Sequence, residues 1–212
     1  MTLSNMQQRV ELPAQTYAGY VFDLDGTLVD SMPTHYRAWR AALQQHGAPA
    51  HIFRWQEFTA HGGMAATDIV RKLNRDYSLQ MQPEQVADDK RALYAHYLQT
   101  EQLPTITETV ELVRDLRRRG IPYAIGTGSA LPGALATLRS AGLEALFSII
   151  VTPEQVAHGK PAPDIFLLAA ERMGVPAAEC VVFEDAEPGL QAARAAGMAA
   201  VRVLPCPAPS HD

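Results

Sequence analysis

The sequence predicts an α/β fold, in which a doubly wound parallel sheet forms the core and an all-helical cap is inserted into it. From residue 105 onward, short apolar runs alternate with helical stretches, which is typical of a parallel sheet with helices on both faces. Residues 31–104 break this alternation, because they contain helical patterns but no convincing strand. We therefore expect a Rossmann-like core at residues 17–30 and 105–205, and a cap at residues 31–104.

Five short apolar runs are predicted to be buried strands. They occupy residues 17–24, 122–127, 147–151, 180–184 and 199–203. The helix that follows residue 105 has the spacing of a capping box at Thr105 and Glu108. Gly120, Gly174 and Gly197 stand where later helices should end, because glycine can close the last turn of a helix.

The inserted segment has the pattern of amphipathic helices. Tyr36, Trp39 and Leu43 recur at helical spacing, and a second helical pattern runs through "PEQVADDKRALYAHYLQ". We expect Trp39, Trp55 and the tyrosines of this segment to serve packing. The position of these helices directly after the first strand indicates a separate helical lid.

Composition and charge limit the classes of function. An apolar content of 47% supports a packed core, and a net charge of -5 gives no general attraction to nucleic acid or anionic membranes. No stretch approaches the roughly 18 apolar residues of a membrane span, and the polar start lacks the apolar segment of a signal peptide. Cys180 and Cys206 form no CxxC or Cys/His cluster. We expect a cytoplasmic monomer without nucleic-acid or membrane partners, with loose tails at residues 1–16 and 206–212.

Polar residues stand at the ends of four predicted strands, where ligands bind in open α/β sheets. They are Asp23 and Asp25 after the first strand, Thr127, Gly128 and Ser129 after the second, Lys160 in the loop after the third, and Glu184 and Asp185 at the end of the fourth. Each alone could be structural, since Asp185 could cap a helix and Lys160 could be a solvated charge. Four such groups at four strand ends are hard to assign to structure alone.

The residue types at these strand ends fit phosphoryl transfer. Clustered carboxylates suit Mg²⁺, which binds through a few carboxylates and a substrate phosphate. One carboxylate can attack phosphorus to form an aspartyl phosphate, and a second can move a proton to the leaving oxygen and later activate water. A hydroxyl and a lysine can hold the transferred group. The sequence therefore predicts a Mg²⁺-dependent enzyme that acts on a small phosphorylated metabolite.

The motifs "DLDGT", "GTGS", "KPAPDIF" and "FEDA", in this order, resemble the four motifs of the haloacid dehalogenase superfamily of phosphatases. The position of the insert resembles the all-helical cap of the β-phosphoglucomutase-like branch. The stretch 160–198 is similar to bacterial fructose-1-phosphate phosphatase-like proteins. The resemblance implies hydrolysis of a sugar phosphate on the fold described above.

For the core, the resemblance implies that Asp23 is the nucleophile and that Asp25 is the general acid/base, which also offers its backbone carbonyl to Mg²⁺. Asp185 would bind Mg²⁺ directly, together with Asp23, and Glu184 would help through water. The implied phosphate-binding residues, of which the threonine and the lysine also act in catalysis, are Gly26, Thr127, Gly128, Ser129 and Lys160. The implied substrate-binding residues of the cap are His35, Lys90, Gly62 and Gly63.

One departure from the branch bears on the type of reaction. Its mutases carry an arginine shortly after the cap glycine, which holds the distal phosphate of the sugar, whereas "HGGMAATDI" has Ala65 or Ala66 there. Loss of a bidentate clamp favours hydrolysis, of a substrate such as fructose 1-phosphate or 6-phosphogluconate, over isomerisation. A β-phosphoglucomutase-type isomerase stays open as an alternative, because Arg71, Lys72 or Lys90 could replace the clamp.

A non-enzymatic phosphoaspartate signalling module is the remaining alternative, because receiver domains also combine acidic residues, a hydroxyl and a lysine on a parallel sheet. An insert of about 70 residues has no place in that design. A nearby acid/base such as Asp25 should also shorten the life of an aspartyl phosphate. The sequence leaves open whether His158, beside the lysine motif, touches a substrate, and an exposed loop histidine is the favoured interpretation.

Overall fold

The computed structural model describes residues 9–62, 64–205 and 208 of the 212-residue chain. Gly63, and the predicted C-terminal tail at residues 206–212 apart from Ala208, lie outside the described residues. The described chain forms a parallel sheet of five strands in the order β3-β2-β1-β4-β5. The strands are β1 (Gly19–Phe22), β2 (Tyr123–Gly126), β3 (Ile150–Val151), β4 (Cys180–Glu184) and β5 (Ala199–Arg202). All five predicted strands are thus confirmed, four of them with shorter ends.

Eight α-helices accompany these strands in the described chain. They are α1 (Met32–Gln45), α2 (Trp55–Ala60), α3 (Ala66–Tyr77), α4 (Pro83–Thr100), α5 (Thr107–Arg119), α6 (Leu131–Ser140), α7 (Asp164–Met173) and α8 (Glu187–Ala195). The predicted helix ends are confirmed, because α5 and α7 close at Gly120 and Gly174 with a left-handed backbone and α8 ends two residues before Gly197. None of the described helices is long and apolar enough to cross a membrane.

Helices cover both faces of the sheet, as the doubly wound prediction requires. Along β1 the side chains alternate between two apolar clusters, because successive residues of a strand point to opposite faces. Phe22 packs with Phe183 and with residues of α5 and α6, whereas Val21 packs with Val182 and with residues of α7 and α8. Phe22 lies opposite Ile125 and Phe183 in the ladder, so β1 is the central strand. The residues that follow β1 therefore lie beside the ends of both β2 and β4.

Helices α1 to α4 bury an apolar cluster of their own between β1 and α5. It contains the aromatic side chains of Tyr36, Trp39, Phe53, Trp55 and Phe58, so the predicted packing role of both tryptophans is confirmed. The two connections between this segment and the sheet run side by side at its base. The Asp30 N–H donates to the Pro104 carbonyl at 2.8 Å, and Val29 pairs with Thr105. We keep the name cap for residues 31–104, whose limits stay a prediction.

The prediction of a loose tail at residues 1–16 is wrong at Arg9 and Val10, in the middle of that segment. Val10 is 1% exposed, belongs to the sheet's apolar cluster and pairs antiparallel with Val203 beyond β5. The prediction of a capping box at Thr105 and Glu108 is also wrong, because α5 follows Ile106, whose side chain caps no backbone group. The carboxylate of Glu108 instead accepts the backbone N–H of Arg9 at 2.8 Å. Both errors have one physical reason, which is a contact between segments far apart in the sequence.

Candidate active site

The sheet brings three carboxylates together at the carboxyl ends of the neighbouring strands β1 and β4. The backbone N–H of Asp23 donates to the Phe183 carbonyl at 2.9 Å, which continues the ladder between β1 and β4 by one residue. The next residue of β4 is Glu184, and Asp185 follows directly. One oxygen from each of Asp23, Glu184 and Asp185 can be chosen so that all three lie within 4.8 Å of one another. The register of the sheet thus forms the acidic cluster predicted from the sequence.

Lys160 lies inside this cluster and is shared by two of its members. Its Nζ donates to Asp23 Oδ1 at 2.6 Å and to Glu184 Oε2 at 2.7 Å, with only 9% of its side chain exposed. Burial alone would lower the pKa of Lys160, but the two carboxylates raise it above its ordinary value. Lys160 is therefore a permanent cation that faces three acids.

The cluster holds more negative charge than one lysine can balance. Burial and the charge of Glu184 raise the pKa of Asp23 well above its ordinary value, although Lys160 opposes this effect. Burial and Glu184 also raise the pKa of Asp185 to about 8. Because both acids resist ionisation in this cluster, a divalent cation would relieve a repulsion that the fold maintains. Carboxylate oxygens from Asp23, Glu184 and Asp185 are ligands of the type that Mg²⁺ prefers. The residues present fit such an ion.

Two glycines make room for this crowding. Gly26 has φ +88°, and a Cβ built on it would overlap the Asp185 carboxylate. A Cβ on Gly189 in α8 would overlap Glu184 Oε2, the atom that accepts from Lys160. Sequence reasoning missed Gly189, although it lies five residues after Glu184. Gly128 has no such constraint, because a Cβ there would meet no atom within 4 Å.

Asp25 lies in different surroundings from Asp23. Its Oδ1 accepts from Ser31 Oγ at 2.6 Å and lies 3.2 Å from His35 Nε2, and its Oδ2 accepts from Ser129 Oγ at 2.6 Å. Burial would raise the pKa of Asp25, but His35 and the two hydroxyls together lower it below its ordinary value. Sequence reasoning missed Ser31, which follows directly after "DLDGTLVD". Two aspartates two positions apart thus have pKa values shifted in opposite directions.

Residues after β2 meet the site at Asp25, through Ser129. Thr127 is 1% exposed, and its Oγ1 accepts the backbone N–H of Ser129 at 3.0 Å. The Thr127 N–H donates to Val151 on the neighbouring strand at 3.0 Å, which fixes the loop to the sheet. This loop therefore presents hydroxyl groups beside Asp25, as the "GTGS" motif predicted.

Two of the predicted cap residues join this site through a chain of contacts. Lys90 Nζ lies 2.9 Å from His35 Nδ1, and His35 Nε2 lies 3.2 Å from Asp25 Oδ1. Burial lowers the pKa of Lys90 to about 8, and burial together with Lys90 lowers the pKa of His35. A charged Lys90 must donate to Nδ1, so the proton of a neutral His35 lies on Nε2 and points to Asp25.

Tyr94, which sequence reasoning treated as packing alone, supports this chain. Its ring stacks on His35 with centroids 3.8 Å apart, and its hydroxyl forms a buried 2.9 Å hydrogen bond with Thr137 Oγ1. Tyr94 therefore links α4 of the cap to α6 beside the sheet. The one available signal was its spacing of four residues from Lys90, which places both on one helix face.

Other predicted residues do not join the site. Arg71 binds Asp68 at 2.8 Å and Glu84 at 2.7 Å, and Lys72 binds Asp76 at 2.5 Å; these pairs lie on the exposed surface. They therefore offer no replacement for a phosphate clamp. Gly62 lies in the turn after α2, close to the Thr59 carbonyl. Gly63 falls outside the described residues.

His158 is well exposed on the loop before α7. Its side chain is 75% exposed, and its Nδ1 and backbone N–H both lie 3.2 Å from Asp164 Oδ2 at the start of α7. It is an exposed loop histidine, as favoured from the sequence.

Comparison with known proteins gives consistent similarities. Residues 17–197 match the model of the haloacid dehalogenase-like hydrolases. The chain is 41% identical over 191 residues to the fructose-1-phosphate phosphatase YqaB of Escherichia coli, covering 89% of this chain and 97% of that protein. It is 37% identical over 186 residues to the hexitol phosphatase A of Escherichia coli, covering 87% and 82%. A candidate beta-phosphoglucomutase from Thermotoga maritima has a similar structure, with a TM-score of 0.63, 28% identity, and 85% and 82% of the two chains covered.

Proposed function

We propose that this protein hydrolyses a small sugar phosphate through an aspartyl phosphate on Asp23. The proposal starts from the family, because the chain belongs to the haloacid dehalogenase-like hydrolases and is a phosphoric monoester hydrolase. The observation that carries this proposal is the buried pair of Asp23 and Lys160 beside Glu184 and Asp185. The named activities of the two relatives, a fructose-1-phosphate phosphatase and a hexitol phosphatase, support a small sugar phosphate of the fructose 1-phosphate type. A substrate of the 6-phosphogluconate type stays a prediction from the sequence.

In the first step, Asp23 attacks phosphorus. Lys160 holds Oδ1, which leaves Oδ2 for the attack in line with the leaving oxygen. The new O–P bond forms as the bond to the sugar oxygen breaks. Lys160 and the Thr127 hydroxyl stabilise the equatorial oxygens of the transferred group. Mg²⁺, when bound, neutralises charge on the phosphoryl group and the carboxylates. Asp23, Asp185, Glu184 and the backbone carbonyl of Asp25 would hold it.

In both steps, Asp25 moves the proton. When the phosphate dianion is bound, Asp25 can take its proton from Lys90 through His35: the Lys90 Nζ proton passes to Nδ1 as the Nε2 proton passes to Asp25 Oδ1, so that His35 stays neutral. Protonated Asp25 gives that proton to the sugar oxygen, and its carboxylate then accepts a proton from the water that attacks the aspartyl phosphate. The products are the sugar, inorganic phosphate and Asp23 in its original form.

The cap supplies the specificity. Lys90 is a half-buried cation that contacts no carboxylate among the residues that the structure describes, so an anionic or hydroxyl-rich substrate is a suitable partner. Cap closure would exclude bulk water from the aspartyl phosphate. The monomeric state and the cytoplasmic location stay predictions. Membership of a hydrolase family argues against the signalling module.

A substrate panel tests this proposal. Phosphate release would be measured with fructose 1-phosphate, 6-phosphogluconate, β-glucose 1-phosphate and other sugar phosphates, with Mg²⁺ and with EDTA. We expect metal-dependent release that Asp23→Asn abolishes, while Asp115→Asn on the exposed surface of α5 keeps it. Release that persists in Asp23→Asn would overturn the nucleophile assignment. Glucose 6-phosphate formed from β-glucose 1-phosphate faster than phosphate would favour the mutase alternative.

A further inference from the structure

Arg9 lies outside the four motifs, yet its side chain reaches three segments around the site. Its Nε donates to the Leu204 carbonyl at 2.9 Å, beyond β5. Its Nη1 lies 3.3 Å from Asp30 Oδ2, and its Nη2 lies 3.5 Å from the Gly26 carbonyl. Only 17% of the Arg9 side chain is exposed. One guanidinium thus joins the end of the sheet, the loop after β1 and the entry to the cap.

The backbone around Arg9 is fixed independently of this side chain. The Arg9 N–H donates to Glu108 Oε1 at 2.8 Å, and the Arg9 carbonyl accepts from the Leu204 N–H at 2.8 Å. Val10 is buried beside Val203. Because the N–H and the carbonyl of Arg9 are both hydrogen-bonded and the next residue is buried, the guanidinium is held in place at a small further cost in conformational entropy.

The Gly26 peptide lies between Arg9 and the acidic cluster. Gly26 directly follows Asp25, and its N–H donates to Val29 at 2.8 Å within a tight loop. The opposite side of Gly26 is packed so closely on Asp185 that a Cβ would overlap the carboxylate. A shift of this peptide would therefore move Asp25 and disturb Asp185.

Asp30 gives Arg9 a hold on the cap as well. Asp30 directly precedes Ser31, whose hydroxyl donates to Asp25 at 2.6 Å. Asp30 Oδ1 is buried and has no hydrogen-bond partner among the described residues. Arg9 is the one cation paired with this carboxylate in the described part of the chain. Loss of Arg9 would leave a largely buried charge unpaired at the base of the cap, and the loop would rearrange to hydrate it.

We propose that Arg9 is a positioning residue of the hydrolase. Its guanidinium fixes residues 25–31 from behind, so that Asp25 keeps its alignment with the substrate and Gly26 keeps its packing against Asp185 when the cap moves. The proposal rests on the proposed function of Asp25 as the acid/base. It assigns a catalytic consequence to a segment that sequence reasoning treated as a loose tail.

Arg9→Ala tests the proposal in the full chain. A displacement of the acid/base of the order of 1 Å costs up to about 100-fold in rate, so we expect kcat to fall about 10- to 100-fold. KM should change by less than about threefold, because Arg9 does not touch the substrate. Arg9→Lys, which keeps the charge near Asp30 but not the forked hydrogen bonds, should lie between wild type and Arg9→Ala.

Chemical rescue separates positioning from a merely structural role. Millimolar guanidinium or ethylguanidinium should restore part of kcat in Arg9→Ala and leave the wild type unchanged. Arg118→Ala, which breaks an exposed pair with Asp115 on α5, should keep kcat and show no rescue. Folded Arg9→Ala with wild-type kcat would overturn the proposal. So would a reduced kcat that neither guanidinium nor Arg9→Lys improves.

An isosteric variant covers the case in which Arg9→Ala does not fold. Asp30→Asn removes the same ion pair and should lower kcat to a similar extent. The double variant Asp30→Asn, Arg9→Lys should have the same kcat as Asp30→Asn alone. A kcat like that of the wild type in Asp30→Asn would contradict the positioning role. Absence of phosphate release by the wild-type protein would refute the proposed function instead, so the two failures are distinguishable.

Discussion

The core half and the cap half of the site hold charge in opposite ways. In the core half, Lys160 binds two buried carboxylates beside the half-buried Asp185, and burial together with the excess negative charge raises the pKa of Asp23 and Asp185. In the cap half, burial against His35 and aromatic rings lowers the pKa of Lys90 to about 8, and no carboxylate in the described part of the chain contacts its ammonium group. The core half is therefore suited to a cation and the cap half to an anion. A phosphorylated substrate with Mg²⁺ would supply both.

The largest expected effect comes from removing one acid of the core half. If Asp185 is a direct metal ligand, as proposed, Asp185→Asn should lower kcat/KM about 100-fold or more. In the wild type, Mg²⁺ should also raise Tm, since an ion that binds only the folded state stabilises it. Asp185→Asn should lose this rise, whereas Asp115→Asn should keep it. A full Mg²⁺-dependent Tm rise in Asp185→Asn would show that the core half is not the metal site.

A smaller loss should follow from crowding the core half without removing a charge. Gly189→Ala would force Glu184 away from Lys160, because the new Cβ overlaps Glu184 Oε2. We expect kcat/KM to fall about 10- to 100-fold, because a site residue displaced by the order of 1 Å no longer holds the reacting groups in alignment. Gly133→Ala in α6 is the matched control, since a Cβ there meets no atom within 4 Å. Equal activity of the two variants would mean that the contact between Lys160 and Glu184 is dispensable.

The cap half should respond differently, with a gain in stability. Lys90→Met should raise KM about 10-fold and raise the free energy of unfolding at pH 7 by about 1–3 kcal/mol, because an unfavourably buried cation is removed. The sign follows from the pKa values. Below pH 8, the unfolded state holds the Lys90 proton more tightly than the folded state, so that folding is penalised.

The same variant gives a dependence on pH. The stability contribution of Lys90 should recover as pH rises from about 8 toward the ordinary lysine pKa of 10.5. The stability difference between Lys90→Met and wild type should therefore shrink over this range in urea unfolding. Arg91→Met, which changes an exposed neighbour on α4, should show no such trend. A Lys90→Met protein less stable than wild type at pH 7 would contradict the claim that the cap half holds an unfavourably placed cation.

The smallest expected effect lies where the two halves meet. Tyr94→Phe removes the hydroxyl bond to Thr137 but keeps the ring on His35. We expect a loss of about 0.5–1.5 kcal/mol in the free energy of unfolding and a change of a few-fold in kcat/KM. Thr137→Val should have a similar effect, and the double variant should lose less than the sum. Strict additivity would indicate that this bond does not join the cap to the sheet.

The strands and the core half were predictable because their signals are local. Short apolar runs gave β1 to β5, and parallel strands place their carboxyl ends at one edge. Asp23, Thr127, Lys160 and Glu184 could thus be brought together from four separate motifs without any knowledge of contacts.

Other features could not be predicted because they depend on distant contacts. The Arg9 side chain reaches a carbonyl 195 positions away, and no local pattern marks such a pair. Glu108 has perfect capping-box spacing, but the Arg9 backbone occupies its carboxylate. The role of Gly189 follows from the direction of the Glu184 side chain, which the sequence does not specify. The cap contact of Tyr94 with Thr137 depends on how the cap sits on the sheet.

The central claim is that Asp23 forms a covalent intermediate that Asp25 resolves, and a burst experiment with Asp25→Asn tests it most directly. With Mg²⁺ and p-nitrophenyl phosphate, the first step needs no acid because the leaving group is good. We expect one equivalent of nitrophenolate per protein in a fast phase, followed by slow turnover, with a phosphoryl group mapped by mass spectrometry to Asp23. Steady turnover without a burst, or a phosphoryl group on another residue, would contradict the claim.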